Sequence, residues 1–469
     1  MLSQSQNQKS ILPSIPRIVI GAPHGHSGKT TISIGLVGAL NRQGYTVQPF
    51  KKGPDYIDPS WLTYAAGRDC RNLDCYWFDP DQIRASLVNS CQGTNIAVIE
   101  GAMGLFDGVD LQGTGSTAQL ARITQSPVIL VVDTTRMTRS VAPLVQGFMH
   151  FDPKITVAGV ILNKVARSRH EAMLRAAISE YCGIPVLGAI PRHAFTVLPE
   201  RHLGLVPVAE HSSVEEAVGH NIAVARDFLD LDGILQIARS APPLEVVLPP
   251  AVHSQDNQVR IGVVRDASFT FYYPENLEAL EAAGAELVYI NSMKDQSLPA
   301  IDGLYIGGGF PECFAAEISH NESLRNHIRR AAVDGLPIYA ECGGLMYLGR
   351  SILWNSQSYA MCGILPFDVV LEKKPQGHGY TLLRVTADNP FFATGQDIKG
   401  HEFHHSRVIN TDPSLQYAYE VTRGHGIDGK RDGVIWRNTF ATYNHIHALS
   451  NPTWASRFVQ FALVRRRNP

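Results

Sequence analysis

Cys342 stands where an apolar run, Leu336 to Ala340, gives way to Glu341, two glycines and a helix-forming stretch. A cysteine at a turn from strand to helix meets free backbone N–H groups and the positive end of the helix dipole. Both lower a thiol pKa and favour the nucleophilic thiolate. A buried structural cysteine is the plainer alternative. Two other segments bear on the choice. GLYIGGGFPE, Gly303 to Glu312, runs a strand into three glycines, and the N–H groups of Gly308 and Gly309 suit a developing oxyanion. FATYNHIH, Phe440 to His447, offers His445, with His447 as runner-up, as a base brought to Cys342 by the fold rather than by sequence proximity. Nucleophile, base and oxyanion donors together describe acyl transfer through a thioester.

A second centre lies in the N-terminal half. Arg17 to Leu40 reads RIVIGAPHGHSGKTTISIGLVGAL, a β-branched strand, a glycine-containing loop and a helix of apolar and small residues. This is the pattern of a nucleotide phosphate loop, in which backbone amides and the helix N-terminus cradle phosphates. Gly28, Lys29, Thr30 and Thr31 are the expected contacts, with Lys29 on the β/γ oxygens and the Thr30 hydroxyl on Mg²⁺. The glycine expected five residues before Gly28 is Pro23, which leaves the first turn of the loop open. FKKGPDYIDPSW, Phe50 to Trp61, crowds lysines and aspartates into the loop after the next strand, where an ordinary turn or a Mg²⁺ site both fit. Glu100 ends the run IAVIE, where a strand-end carboxylate can hold the metal or its water, and Asp58 and Asp107 are further candidates. Asn163 closes another apolar run; its amide can read an adenine edge, and a strand-terminating Asn satisfies the same spacing.

The elements that must position these residues alternate. Apolar strand-like runs at Ile96 to Glu100, Pro127 to Asp133 and Ile155 to Asn163 are separated by helical stretches, as in a doubly wound parallel sheet. Ser240 to Gln258, SAPPLEVVLPPAVHSQDNQ, reads as a linker. After it Arg260 opens a new strand, and Tyr273 to Gly284 reads as a helix ending at glycine. The expected fold is α/β: a P-loop doubly wound domain over residues 1–239, a linker over 240–258, and a second α/β domain over 259–469.

GGGFPE, AECGGLMYLG, GHEFHHS (Gly400 to Ser406) and Tyr443-Asn444-His445 resemble the class I glutamine amidotransferase domain of the cobyrinic acid-type amide synthases. GKTT, KKGPDYIDP, IEGAMGLFDG, LNKV and PERHLGL (Pro199 to Leu205) resemble the dethiobiotin-synthetase-like ATP domain of the same family. The resemblance implies that Cys342 attacks the side-chain amide of glutamine, that His445 raises its nucleophilicity, and that ammonia is released. ATP would activate a carboxylate of a cobalt corrinoid as an acyl phosphate, which ammonia displaces, at the a and c positions in turn. It further implies that Asp55 and Glu100 hold metal or orient substrate, that Lys52 stabilises the transferring phosphoryl group, and that Tyr56 and Ile57 face the corrinoid. Arg68, Arg71, Arg136, Arg139, Arg192 and Arg201 are candidates for its carboxylates, and equally ordinary surface residues. Many class I amidotransferases carry His-x-Glu. Here the position two after His445 is His447, so the site reads as a dyad. Related enzymes that amidate other corrinoid carboxylates or a nickel tetrapyrrole share these motifs, and a partner-binding P-loop ATPase with a degenerate second domain is the non-enzymatic alternative.

Bulk properties set limits. In 469 residues, 44% are hydrophobic and 18% charged, as in ordinary globular proteins. A formal net charge of -2 argues against a nucleic-acid partner. Apolar runs fall short of the roughly 18 to 20 residues of a membrane span, and the first residues are polar, so a cytoplasmic protein is expected, with a homodimer left open. Seven cysteines without a C-x-x-C pair suggest reduced thiols. His401, His404 and His405 lack the spacing of a helical zinc motif.

Overall fold

The computed structural model describes residues 9–12, 14–195, 200–201, 204–210, 213–247 and 258–467. The chain divides into two compact units, within residues 1–250 and 251–469. Pro199, His202 and Leu203 of the PERHLGL motif, the side chain of Arg201, and residues 248–257 of the expected linker lie outside the described residues.

In the first unit the runs IAVIE and VILVVD are apolar almost throughout because both faces of a parallel sheet are covered. Seven parallel strands stand in the order Arg71–Leu73, Val47–Lys52, Ile96–Glu100, Arg17–Gly21, Val128–Asp133, Val157–Val165, Val186–Pro191. The loops after Lys52, Glu100 and Gly21 therefore leave three adjacent strands at one sheet edge, where doubly wound folds bind ligands. Helix Lys29–Arg42 follows the phosphate loop. Its small residues are needed for packing: a Cβ on Gly35 would lie 2.7 Å from the Asn221 carbonyl oxygen, and one on Gly38 2.4 Å from Ile222 Cδ1, both on helix Val214–Phe228. Each fully buried Ile or Leu along this interface contributes on the order of 2 kcal/mol.

Two strands of this sheet, Arg71–Leu73 and Val186–Pro191, have no counterpart in the sequence reading. Arg71–Leu73 is three residues long and polar at its start, too short to show a period. The expected linker is also partly structured. Leu244–Val247 pairs antiparallel with Lys9–Leu12, Leu244 and Val246 buried and Glu245 between them exposed. That period of two is a strand signal, masked in the sequence by flanking prolines.

The second unit holds a nine-stranded mixed sheet in the order Ala285–Ile290, Val259–Val264, Gly303–Ile306, Ile338–Glu341, Thr439–Thr442, Arg431–Trp436, Gln416–Arg423, Gly377–Val385, Asp397–His404. The first five strands run parallel and the rest pair antiparallel. Helix Pro274–Ala282 starts on proline, and Gly284 at φ +98° follows its end. A second sheet of four strands contains Ser351–Trp354, Gln357–Ala360, Asp368–Leu371 and Ser406–Ile409.

Candidate functional site: a phosphate loop and a cysteine elbow

The phosphate loop turns on His26 and Gly28, both at positive φ (58° and 93°). These two left-handed positions supply the turning, so Pro23 is accommodated where a glycine was expected. Gly28 is also sterically fixed, because an added Cβ would lie 2.3 Å from Asn163 Nδ2. That amide donates to the Ser27 carbonyl at 2.9 Å, and Asn163 Oδ1 accepts the Lys164 N–H. In this structure Asn163 is buried and holds the loop backbone. Lys29 lies folded across the loop, its ammonium donating to the carbonyls of Met103 (2.7 Å) and His24 (3.3 Å). Burial lowers its pKa, with Glu100 opposing. Thr31 follows in the first turn of the same helix.

Beside the loop is a five-residue cluster. Thr30 Oγ1 donates to Glu100 Oε1 at 2.6 Å and to Asp58 Oδ2 at 3.3 Å. Lys51 Nζ sits 2.5 Å from Asp58 Oδ2, 2.8 Å from Glu100 Oε1 and 3.8 Å from Asp55 Oδ2. Burial works against the charge on Lys51, but Asp58 and Glu100 together raise its pKa well above the usual lysine value. Burial raises Glu100, with Lys51 opposing. Asp55 is pushed up to about 7, first by burial and then by Asp58.

The cation of this cluster is Lys51, one residue before the Lys52 expected from the sequence. Side chains of a strand alternate, so Lys51 enters the cluster while Lys52 is directed elsewhere, its pKa lowered by burial with Asp74 the main opposing charge. Asp55 is engaged locally: Oδ1 accepts the backbone N–H groups of Ile57 (2.8 Å) and Asp58 (3.2 Å) at the start of helix Ile57–Ala66. Asp58, one turn on, reaches Thr30 instead. Ile57 is 8% exposed in that first turn, so its side chain packs inward rather than presenting itself to a ligand; Tyr56 is half-buried at the cap position. Arg68 bonds Gln48 and the Ser90 carbonyl, and Arg139 bonds Tyr181.

A hard divalent cation fits the oxygen set of Thr30, Asp58 and Glu100. Glu100 Oε2 is moreover buried without a hydrogen-bond partner, one acceptor in reserve. Lys51 already occupies the middle of this set as an internal cation.

In the second unit, strand Ile338–Glu341 ends at Cys342, whose φ of 47° and ψ of -99° put a non-glycine residue in a strained turn before helix Gly343–Leu348. This is the geometry of a nucleophile elbow. The strand pairing continues through it, Cys342 N donating to the Thr442 carbonyl at 2.7 Å. Cys342 is 3% exposed. Burial pushes its thiol up, and the nearby Glu312 carboxylate adds to that, with the Gly343 N–H opposing. The expected lowering by the helix terminus is thus outweighed: one helix dipole is worth about 1 kcal/mol, less than the cost of burying a thiolate.

The triple-glycine loop packs against both His445 and Gly343, the residue after Cys342. A Cβ on Gly308 would stand 2.4 Å from His445 Cε1 and 3.2 Å from its Nε2, and one on Gly309 (φ +153°) 2.0 Å from the Ser268 carbonyl oxygen. From the other side, a Cβ on Gly343 would stand 3.1 Å from Gly309 N. His445 is held by backbone bonds in both directions with His401 (2.8 and 3.1 Å), and their rings stack at 4.9 Å. Burial, with His445 and His447 adding, holds His401 well below the usual histidine pKa. His447 instead pairs with Glu275 at 3.4 Å and packs on Tyr273.

The remaining histidines diverge. His404 lies on the Tyr443 ring at 3.7 Å and bonds the Ser406 carbonyl, and His405 bonds the Glu372 carbonyl. The sequence reading missed Lys51 and assigned no role to Glu341, whose Oε2 lies 3.5 Å from His445 Nδ1.

A phosphate loop at the edge of a doubly wound sheet, in a chain that also carries a cysteine elbow and a histidine packed against one glycine loop, defines a nucleotide-dependent, glutamine-hydrolysing amide synthase. The comparisons agree: residues 18–206 match the CobQ/CobB/MinD/ParA nucleotide binding domain, and residues 260–453 the CobB/CobQ-like glutamine amidotransferase domain. The chain is 46% identical over 453 residues to the cobyrinate a,c-diamide synthase of Magnetococcus marinus, covering 95% of this chain and 97% of that one. It is 42% identical to the Archaeoglobus fulgidus enzyme of the same name (97% and 100% covered) and 40% to that of Methanosarcina acetivorans (98% and 98%). The chain belongs to the cobyrinate a,c-diamide synthase family.

Proposed function

We propose that this protein converts the a and c carboxylates of cobyrinic acid to amides, using ATP and ammonia cut from glutamine, as a step of cobalamin biosynthesis. The observation that carries the reading is that the chain matches, over nearly its full length and theirs, relatives bearing that enzyme's name.

At the glutaminase centre, the Cys342 sulfur attacks the amide carbon of glutamine. His445 takes the thiol proton and gives it to the departing nitrogen, so that ammonia leaves and a thioester remains. The N–H groups of Gly308 and Gly309 receive the oxyanion. Water then hydrolyses the thioester to glutamate. His445 is preferred to His447 because its ring abuts Gly308, whereas His447 is engaged with Glu275.

At the synthetase centre, a substrate carboxylate takes the terminal phosphoryl group of ATP, and ammonia displaces phosphate from the acyl phosphate. Gly28, Lys29, Thr30 and Thr31 receive the triphosphate. Mg²⁺ would be held by Thr30, Glu100 and Asp58, with Asp55 a further candidate, and would supply neutralisation of the triphosphate charge. Lys51 is the buried cation among these oxygens, the part expected of Lys52. Tyr56 and the backbone at Ile57 border this edge on the corrinoid side, and Asn163 supports the phosphate loop rather than reading the adenine edge.

The division into a synthetase domain (1–239), a connector (240–258) and a glutaminase domain (259–469) follows these centres. Among the described residues no helix is long and apolar enough to cross a membrane, which accords with a cytoplasmic enzyme. A homodimer is compatible with the reading.

The test is to incubate the protein with glutamine, Mg·ATP and cobyrinic acid and to follow the corrinoid by mass spectrometry. The expected result is exchange of hydroxyl for amino at two carboxylates and no more, with ADP formed in step. ATP turnover with an unchanged corrinoid would contradict the assignment and direct attention to another tetrapyrrole.

A further inference from the structure

The absence of a carboxylate two residues after His445 does not leave that histidine without one. Glu341 is the immediate neighbour of Cys342 and is fully buried, and its Oε2 lies 3.5 Å from His445 Nδ1. Three donors hold it in place: the Tyr305 hydroxyl on Oε2 at 3.2 Å, the Tyr339 hydroxyl on Oε1 at 3.1 Å, and the Ile446 N–H on Oε1 at 3.2 Å. A buried carboxylate is costly unless satisfied in this way. Its bond to Ile446 also ties it to the residue that follows the histidine.

The placement follows from topology. Strands Ile338–Glu341 and Thr439–Thr442 are parallel neighbours, with Glu341 opposite Thr442. Both end at the same edge, and His445 comes three residues beyond Thr442. The period of two puts Tyr339 and Glu341 on one face of their strand, so the tyrosine that anchors the carboxylate comes from the same strand. His445 thus has Nδ1 toward Glu341 while Nε2 borders Gly308 of the oxyanion loop.

We propose that Glu341 is the positioning residue of the glutaminase centre. It completes a Cys342–His445–Glu341 triad whose carboxylate precedes the nucleophile instead of following the histidine. The proposal rests on the reading of Cys342 as the glutaminase nucleophile. Glu341 fixes the ring orientation and stabilises the imidazolium that exists between uptake of the thiol proton and its delivery to the leaving nitrogen. Burial raises the Cys342 thiol pKa, so the cysteine depends on a well-oriented base to lose its proton during attack.

The test is Glu341→Gln in the full chain, measured as ammonia release from glutamine, with corrinoid amidation from added ammonium as the control for folding. The expected result is a glutaminase kcat lower by about 10²-fold with the KM for glutamine unchanged. Amidation from ammonium should stay at the parent level. Tyr339→Phe, which removes an anchor but not the carboxylate, should lose no more than about threefold. Glutaminase activity of Glu341→Gln within about threefold of the parent, or an equal loss in Tyr339→Phe, would overturn the proposal. If Glu341→Gln also loses amidation from ammonium, Glu341→Asp is read in the same way: a fall confined to kcat supports the role and an unchanged kcat overturns it. A parent protein with no glutaminase activity would instead overturn the reading of Cys342.

Discussion

At the phosphate loop, a lysine sits between two carboxylates with a threonine hydroxyl against them. Around Cys342 the centre is drier and less charged: cysteine, histidine and carboxylate are each 3% exposed or less, and glycines decide how closely they approach. The difference follows from the chemistry each centre has to perform. Phosphoryl transfer is catalysed mainly by positioning and charge neutralisation, so its site stores opposite charges that an incoming metal and triphosphate can re-partner. Thioester formation needs one proton moved along one line and an oxyanion received by fixed dipoles, so backbone shape does most of the work.

The larger effect is expected from removing the internal cation. Lys51→Met leaves Asp58 and Glu100 close together without their counter-ion, and stranding a buried charge costs about 3–5 kcal/mol. Corrinoid amidation should fall by at least about 10²-fold with either glutamine or ammonium as nitrogen source. Glutaminase activity should persist. Equal loss of both activities would mean that the two centres do not fail separately.

A smaller effect is expected from the side governed by shape. Gly308→Ala places a methyl 2.4 Å from His445 Cε1, closer than two carbons can stand. The ring must move, and a misplacement of this kind should cost roughly 10- to 10²-fold in ammonia release. Amidation from ammonium should be unaffected. An unchanged glutaminase rate would show that His445 is not held by this loop.

The same contrast explains what could be read from the sequence. Contiguous backbone devices were legible: Gly28-Lys29-Thr30 before a helix, the triple glycine after Ile306, and Cys342 between strand and helix all announce themselves within a dozen residues. Pairs made by strand adjacency were not. Lys51 and Glu100 are register partners on neighbouring parallel strands, and Glu341 is the register partner of Thr442, three residues before His445. Each strand end is visible in the sequence, but the order of strands in the sheet is not, so a carboxylate brought to His445 from another strand leaves no mark along the chain. The alternation that selects Lys51 over Lys52 could have been applied to the sequence, had the burial of that strand been known. Leu244–Val247 was lost for a different reason, its short alternating pattern lying among prolines.

The most direct measurement of the central claim is the nitrogen-source dependence of Cys342→Ala. With glutamine, corrinoid amidation by this variant should fall by roughly 10⁴-fold or more, as expected when a covalent nucleophile is removed. With ammonium at a pH where free ammonia is available, it should amidate the corrinoid at close to the parent rate. Amidation from glutamine that survives the substitution, or amidation from ammonium that is lost with it in a folded, ATP-binding protein, would contradict an account in which one centre makes ammonia and the other consumes it.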